Sequence, residues 1–244
     1  MKTGFVIRPL PALSGLTMPS VKHVDLENGS DLLYFENFLN RTEAFKYLDS
    51  LNKELPWIRP ILSVCGRNCE QPRETCYVAD EGLPTYKYSG YQPIVYKWDD
   101  FPALTSIKNA VHLALPSRRF NSVLVNRYTN GSDYAGWHSD DVKLYGSSPT
   151  IASNTLVKRK ENPAVHHRQS VATCKETGST LCRSVKEQMG CVSILHSGKQ
   201  HLHGYAPRVQ LAPSCEIILA HEIIAGCEVL NKFHIVEGAS LIEE

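Results

Sequence analysis

The stretch that decides the reading is Asn126–Asp141, NRYTNGSDYAGWHSDD. It begins inside an alternating run, Phe120–Tyr128 (FNSVLVNRY), that suits a buried strand. Asn130-Gly131 follows, a dipeptide that marks a tight turn. Beyond the turn stand His138, Ser139 and Asp140. On an extended strand end, residues i and i+2 point the same way, so an imidazole and a carboxylate share one face. Such a pair can take two corners of an octahedral metal. A second histidine from elsewhere would complete the facial triad of a non-haem Fe(II) site and leave three positions open. A bare His-x-Asp arises often by chance, so its surroundings carry the weight.

Upstream, Thr42 can cap a helix in which Phe45, Leu48, Leu51 and Leu55 recur at helical spacing, and Pro56 stops it. A second helical period runs through Leu104, Ile107, Val111 and Leu115. Leu32–Phe38 is apolar enough for a first strand or docked segment. Residues 1–30 read as a loose arm, Arg59–Thr85 as loops, and Tyr86–Tyr91 as a short strand or hairpin edge. Downstream the composition breaks. Of 21 aromatics, only Tyr205 and Phe233 lie beyond residue 153, and 154–204 has none. Disorder is the default reading there. Some apolar density returns at Glu216–Ile242.

The bulk numbers bound the rest. A chain of 244 residues suffices for one domain with a real core. The net charge of +1 gives no argument for nucleic-acid binding, though a local basic patch stays possible. No run is apolar for long enough to span a bilayer, so no membrane partner is expected, and Met1–Ser20 does not read as a secretory signal. The eight cysteines include no CxxC pair and are expected as free thiols. A zinc site on Cys65 and Cys69 is conceivable but loosely spaced.

Three blocks together resemble the AlkB-type dioxygenases: Phe120–Tyr128, Trp137–Asp141 (WHSDD) and Ser148–Ser153 (SPTIAS). The resemblance is closest to the eukaryotic branch that repairs alkylated DNA. It extends upstream through Pro72-Arg73-Glu74-Thr75, Tyr77, Asp80, Gly82 and Tyr86–Gly90 (YKYSG), similar to that branch's base-recognition region. It implies a mainly β fold with flanking helices, a double-stranded β-helix or jelly roll. It implies Fe(II) and 2-oxoglutarate as cofactors, with His138 and Asp140 as catalytic metal ligands. By the same resemblance Asn126 and Tyr128 contact 2-oxoglutarate, and Tyr88 stacks on a flipped damaged base, where an aromatic face contributes about 1–3 kcal/mol. Tyr86, Ser89, Gly90 and Arg73 fall in the substrate region. Asp141 either orients an arginine or is a plain solvated carboxylate. Alkylated DNA is favoured over RNA as partner, and a monomeric, nuclear protein is implied, with the cytoplasm as the alternative.

After Ser153 the family's S-F-G, W-x-H-x-V and R-x-N-x-T-F-R patterns do not appear. His196, His201 and His203 lie at a plausible distance, but their setting (HSGKQHLHGY) does not match, and they read as exposed polar histidines. Back-translating Gln210–Cys215 one nucleotide out of register can yield Asn-Trp-His-His-His-Val. The segment from about 154 is therefore expected to be read out of the ancestral frame. The division expected is an arm over 1–30, the dioxygenase part over 31–153 and a divergent, poorly ordered tail over 154–244, so that the roll is incomplete at its C-terminal end. The function expected is oxidative dealkylation of nucleic-acid bases. The alternative is an inactive product of such a gene that at most binds nucleic acid weakly.

Overall fold

In the computed structural model, residues 21–25, 31–35, 37–64, 66–130, 132–138, 142–145 and 150–157 are described, with five later strands at 167–174, 180–187, 191–196, 201–205 and 214–221. Strand β1 (Val21–Asp25) falls within the stretch expected as a loose arm and pairs antiparallel with β2 (Asp31–Phe35). Helix α1 (Arg41–Glu54) follows. Its N-cap is Asn40, not Thr42: the Asn40 side chain accepts the Glu43 amide at 2.9 Å. Both residue types cap well, and the one just ahead of the first turn prevails. The segment expected as loops holds three strands, β3 (Ile61–Val64), β4 (Arg67–Glu70) and β5 (Glu74–Ala79). The first two form a mostly exposed hairpin. The third is held by its neighbours, so its own apolar pattern is short.

After the two-residue β6 (Val95–Tyr96) comes α2 (Pro102–Ala114), with proline at its first position, where no amide is needed. Leu104, Ile107 and Val111 are buried on its inner face, as the spacing requires. Then come β7 (Phe120–Tyr128), β8 (Ala135–His138), a single turn α3 (Val142–Tyr145) and β9 (Thr150–Val157). Beyond it lie β10 (His167–Cys174), β11 (Thr180–Glu187), β12 (Cys191–His196), β13 (His201–Tyr205) and β14 (Ser214–His221). The roll was expected to be incomplete after residue 153. Instead β9 crosses that point, and the later strands enter both sheets. Strand pairing is made by the backbone, so a scarcity of aromatics does not forbid it.

The strands form an eight-stranded sheet in the order β1-β2-β12-β9-β14-β7-β5-β6 and a four-stranded sheet in the order β11-β10-β13-β8. The β7–β8 connection passes from one sheet to the other. The main core lies where α1 and α2 pack on the large sheet. It joins Leu48, Leu51, Leu104 and Ile107 to Cys76, Val78, Val123, Val125, Ala152, Leu156 and Ile217. Period-two alternation then sends Thr75, Tyr77, Asn126 and Tyr128 to the opposite face, where Tyr128 packs on Ala135 of β8. That face bears the candidate site. Cys69 and Cys76 are free thiols, as expected. Among the described residues no helix is long and apolar enough to cross a membrane.

One polar contact ties α2 to the start of β7. The Phe120 amide donates to His112 Nε2 at 2.8 Å, which requires an unprotonated Nε2. Burial, then Lys108 and Arg119, push the His112 pKa below the usual 6.5. The unfolded chain therefore binds the proton more readily, and stability is lost as pH falls through 6.5 toward the depressed value. The denaturation midpoint is expected to drop between pH 7.5 and pH 5. That drop should shrink in His112→Gln, whose amide oxygen can accept the same bond without titrating. An equal drop in both proteins would exclude His112 as its source.

Candidate functional site

The site is built around the β7–β8 connection. Asp133, 3% exposed, sits in its turn and accepts two bonds from Arg59, at 3.0 and 3.2 Å. It also accepts the Thr129 amide at 2.7 Å and the Thr129 hydroxyl at 2.9 Å. Burial alone would raise the Asp133 pKa, but the guanidinium and the Thr129 bonds outweigh it and hold the carboxyl below its usual 3.8. Arg59 is raised in turn, chiefly by its bond to Asp133. The connection between β7, which carries Asn126 and Tyr128, and β8, which ends at His138, is thus fixed by a charged clamp.

A second arginine also holds the β7–β8 connection. Arg73 Nε donates to Asn126 Oδ1 at 2.9 Å, and Arg73 Nη1 to the Tyr134 carbonyl at 3.3 Å. The Tyr134 amide donates to the Pro72 carbonyl at 2.8 Å. Arg73, expected in the substrate region, therefore touches the residue expected to hold 2-oxoglutarate. Asn126 and Tyr128 are both buried on the same face of β7.

Tyr86 and Tyr88 stand beside this face. Tyr86 stacks on Tyr77 with centroids 4.8 Å apart, and Tyr88 lies 5.4 Å from Tyr86 and 5.6 Å from Tyr91. The Tyr88 hydroxyl donates to Gln71 Oε1 at 2.9 Å. Burial keeps both phenols protonated, with Tyr77 pushed up to about 12 and Tyr88 raised. Ser89 and Gly90 form the turn after Tyr88, and the Ser89 carbonyl accepts the Ser63 amide at 2.8 Å. Gly90 is needed there: its φ is +78°, and an added Cβ would meet Ser63 Cβ at 3.3 Å. Tyr77 and Tyr86 also line a cavity of about 320 Å³ that extends to Tyr96 and the Glu81–Lys97 ion pair.

His138 ends β8, and its register partner on β13 is His203. The sequence reading set His203 aside because its flanking residues do not match the family, and register is not legible from one strand alone. Asp140 and Asp141 lie outside the described residues. Among the described residues no three His, Cys, Asp or Glu side chains gather to hold a metal. Arg59, Gln71 and Asp133 were not picked out from the sequence. Asp133 follows the Asn-Gly turn signal, which hinted at a local role, but its partner lies 74 positions away.

The family model of the 2OG-Fe(II) oxygenase superfamily matches residues 31–211. The chain belongs to that superfamily. Its match runs well past residue 153, where the motif reading stopped. Curated relatives of this oxygenase are AlkB-type proteins. The DNA oxidative demethylase ALKBH2 of Arabidopsis thaliana is 41% identical over 201 residues, which cover 80% of this chain and 64% of that protein. The human protein of the same name is 33% identical over 138 residues, 55% of this chain and 51% of the relative. The mouse alpha-ketoglutarate-dependent dioxygenase alkB homolog 3 is 30% identical over 167 residues, 65% and 56% of the two chains. The oxygenase thus spans between half and two thirds of the length of these relatives. Among solved structures, a Trichoplax adhaerens prolyl hydroxylase in complex with a hypoxia inducible factor peptide aligns with a TM-score of 0.49 at 8% identity, over 78% of this chain and 83% of that one.

Proposed function

We propose that this chain is an oxidative dealkylase of alkylated nucleic-acid bases, dependent on Fe(II) and 2-oxoglutarate. DNA is the favoured substrate, and the nucleus the place of action. The carrying observation is the face of the large sheet that buries Tyr128 and Asn126, the latter held by Arg73, with Tyr86 stacked on Tyr77 of the neighbouring β5 and Tyr88 next to Tyr86. The relatives named as DNA oxidative demethylases support the same reading.

Two imidazoles and a carboxylate suit Fe(II). His138 and Asp140 would supply one of each. We assign the second imidazole to His203, because the register sets it opposite His138. When bound, iron and 2-oxoglutarate supply oxidation of the N-alkyl carbon by oxygen. The residues of this chain do the positioning. Arg73 fixes the Asn126 amide, and Asn126 and the buried Tyr128 would receive the acid. Tyr88 is itself buried, so an extruded base would meet the half-buried Tyr86 ring packed against it, with the neutral Tyr88 phenol behind. Asp141 is left with the two readings it began with, an arginine partner or a solvated carboxylate.

The test is succinate formation from 2-oxoglutarate with a methylated single-stranded oligonucleotide. Turnover is expected to depend on the oligonucleotide, and to fall to background in His138→Ala and in His203→Ala but not in His201→Ala. Full turnover in His203→Ala would remove His203 as a ligand. Turnover that survives His138→Ala would sink the oxygenase reading. Oligonucleotide binding without any succinate would favour the alternative, a non-catalytic product that retains the base-recognition surface.

A further inference from the structure

Gln71 is fully buried, yet it belongs to neither core cluster. Both ends of its amide are used. Oε1 accepts the Tyr88 hydroxyl at 2.9 Å, and Nε2 donates to the Arg73 carbonyl at 3.3 Å. Arg73 in turn donates from Nε to Asn126 Oδ1 at 2.9 Å. Three consecutive contacts therefore join Tyr88, which backs the Tyr86 ring of the base-recognition segment, to the asparagine proposed to hold 2-oxoglutarate. The backbone of this segment is held as well: the Gln71 amide donates to the Pro60 carbonyl at 2.8 Å, and Arg59 Nη1 reaches the Gln71 carbonyl at 3.4 Å. The Arg73 carbonyl sets the orientation of this buried amide, since turning it over would face the amide oxygen to that carbonyl, acceptor to acceptor.

We infer that Gln71 is a positioning residue that couples base binding to 2-oxoglutarate binding through Tyr88 and Arg73. The inference rests on the function proposed above. Its physical content is shared ordering. A base packed on the half-buried Tyr86 ring restricts Tyr88 behind it, and the Tyr88 hydroxyl holds the Gln71 amide. The amide holds the Arg73 carbonyl, and Arg73 meets Asn126 already oriented. The second ligand finds this order in place and binds more tightly. Linkage makes the effect mutual, so 2-oxoglutarate must tighten oligonucleotide binding by the same factor. A chain of contacts alone does not establish coupling, so the factor itself has to be measured.

The measurement is the dissociation constant of 2-oxoglutarate by calorimetry on the full chain with Mn(II) in place of iron. It is made without and with a saturating methylated oligonucleotide. A tightening of about 5-fold or more is expected in the unaltered protein. In Gln71→Leu the factor should fall to near 1, while 2-oxoglutarate binding without oligonucleotide stays within about two-fold, because the Arg73–Asn126 bond remains. Tyr88→Phe keeps the ring and removes the same hydroxyl bond from the other side. It should lose the coupling to the same extent, even if Gln71→Leu fails to fold. The double variant should lose no more than either single one. A purely structural Gln71 would lower stability in Gln71→Leu and leave the factor intact. That result, or a factor of 1 in the unaltered protein, overturns the inference. Failure of both ligands to bind at all would instead remove the functional reading on which it stands.

Discussion

Asp133→Ala is expected to lower the unfolding free energy by about 2–4 kcal/mol. Removing one partner of a buried ion pair leaves the other charge uncompensated, and such losses run to about 3–5 kcal/mol when burial is complete. Arg59 retains 26% of its side-chain exposure, which places the expectation toward the lower end. The Thr129 amide and hydroxyl lose an acceptor at the same time. A urea titration gives the value, and Arg59→Ala with the double variant apportions it. The pair accounts for the effect only if the double variant is less destabilised than the two single losses added together. A loss below about 0.5 kcal/mol in Asp133→Ala would mean that solvent already screens the clamp.

The second large effect has the opposite sign. Asn154 is 1% exposed, and neither its Oδ1 nor its Nδ2 has a hydrogen-bond partner among the described residues. Its neighbours two positions away along β9 are Ala152 and Leu156, and directly across in β14 stands Ile217. All three belong to the main core. A buried polar group left unsatisfied costs about 1–3 kcal/mol. Asn154→Val removes the amide and places a β-branched side chain in a strand, so a gain of about 1–3 kcal/mol is expected. Asn154→Ala guards against overpacking, since it adds no volume. A loss of stability in both variants would show that the amide has a partner after all.

The position of Asn154 bears on how much the sequence revealed. Helix spacing located α1 and α2, and alternation located β7, because each of those elements buries a stripe of its own residues. Asn126, Tyr128 and Tyr88 were found through motif resemblance, and all three lie on or beside one face of the large sheet. Residues whose role depends on a distant partner were not legible. Arg59 and Gln71 sit in a stretch read as loops, and only folding brings them to Asp133 and Tyr88. His203 was visible as a histidine, but its place opposite His138 is a matter of register. The break at residue 153 was read from composition, and the strands continue through it. The polar side chain just beyond the break nevertheless faces an apolar core. Asn154 is a mismatch between side chain and surroundings that can be measured.

The order of strands in the large sheet has a consequence for how the protein is made. Strand β14 lies between β7 and β9 and is hydrogen-bonded to both. It is also the last strand in sequence among the described residues. While the chain emerges from the ribosome, the inner edges of β7 and β9 stand open until Ser214–His221 has been synthesised. Open edges of this kind recruit other strands. Pairings of such long sequence separation also form slowly. Nascent or truncated chains ending before residue 214 should therefore aggregate or be held by chaperones.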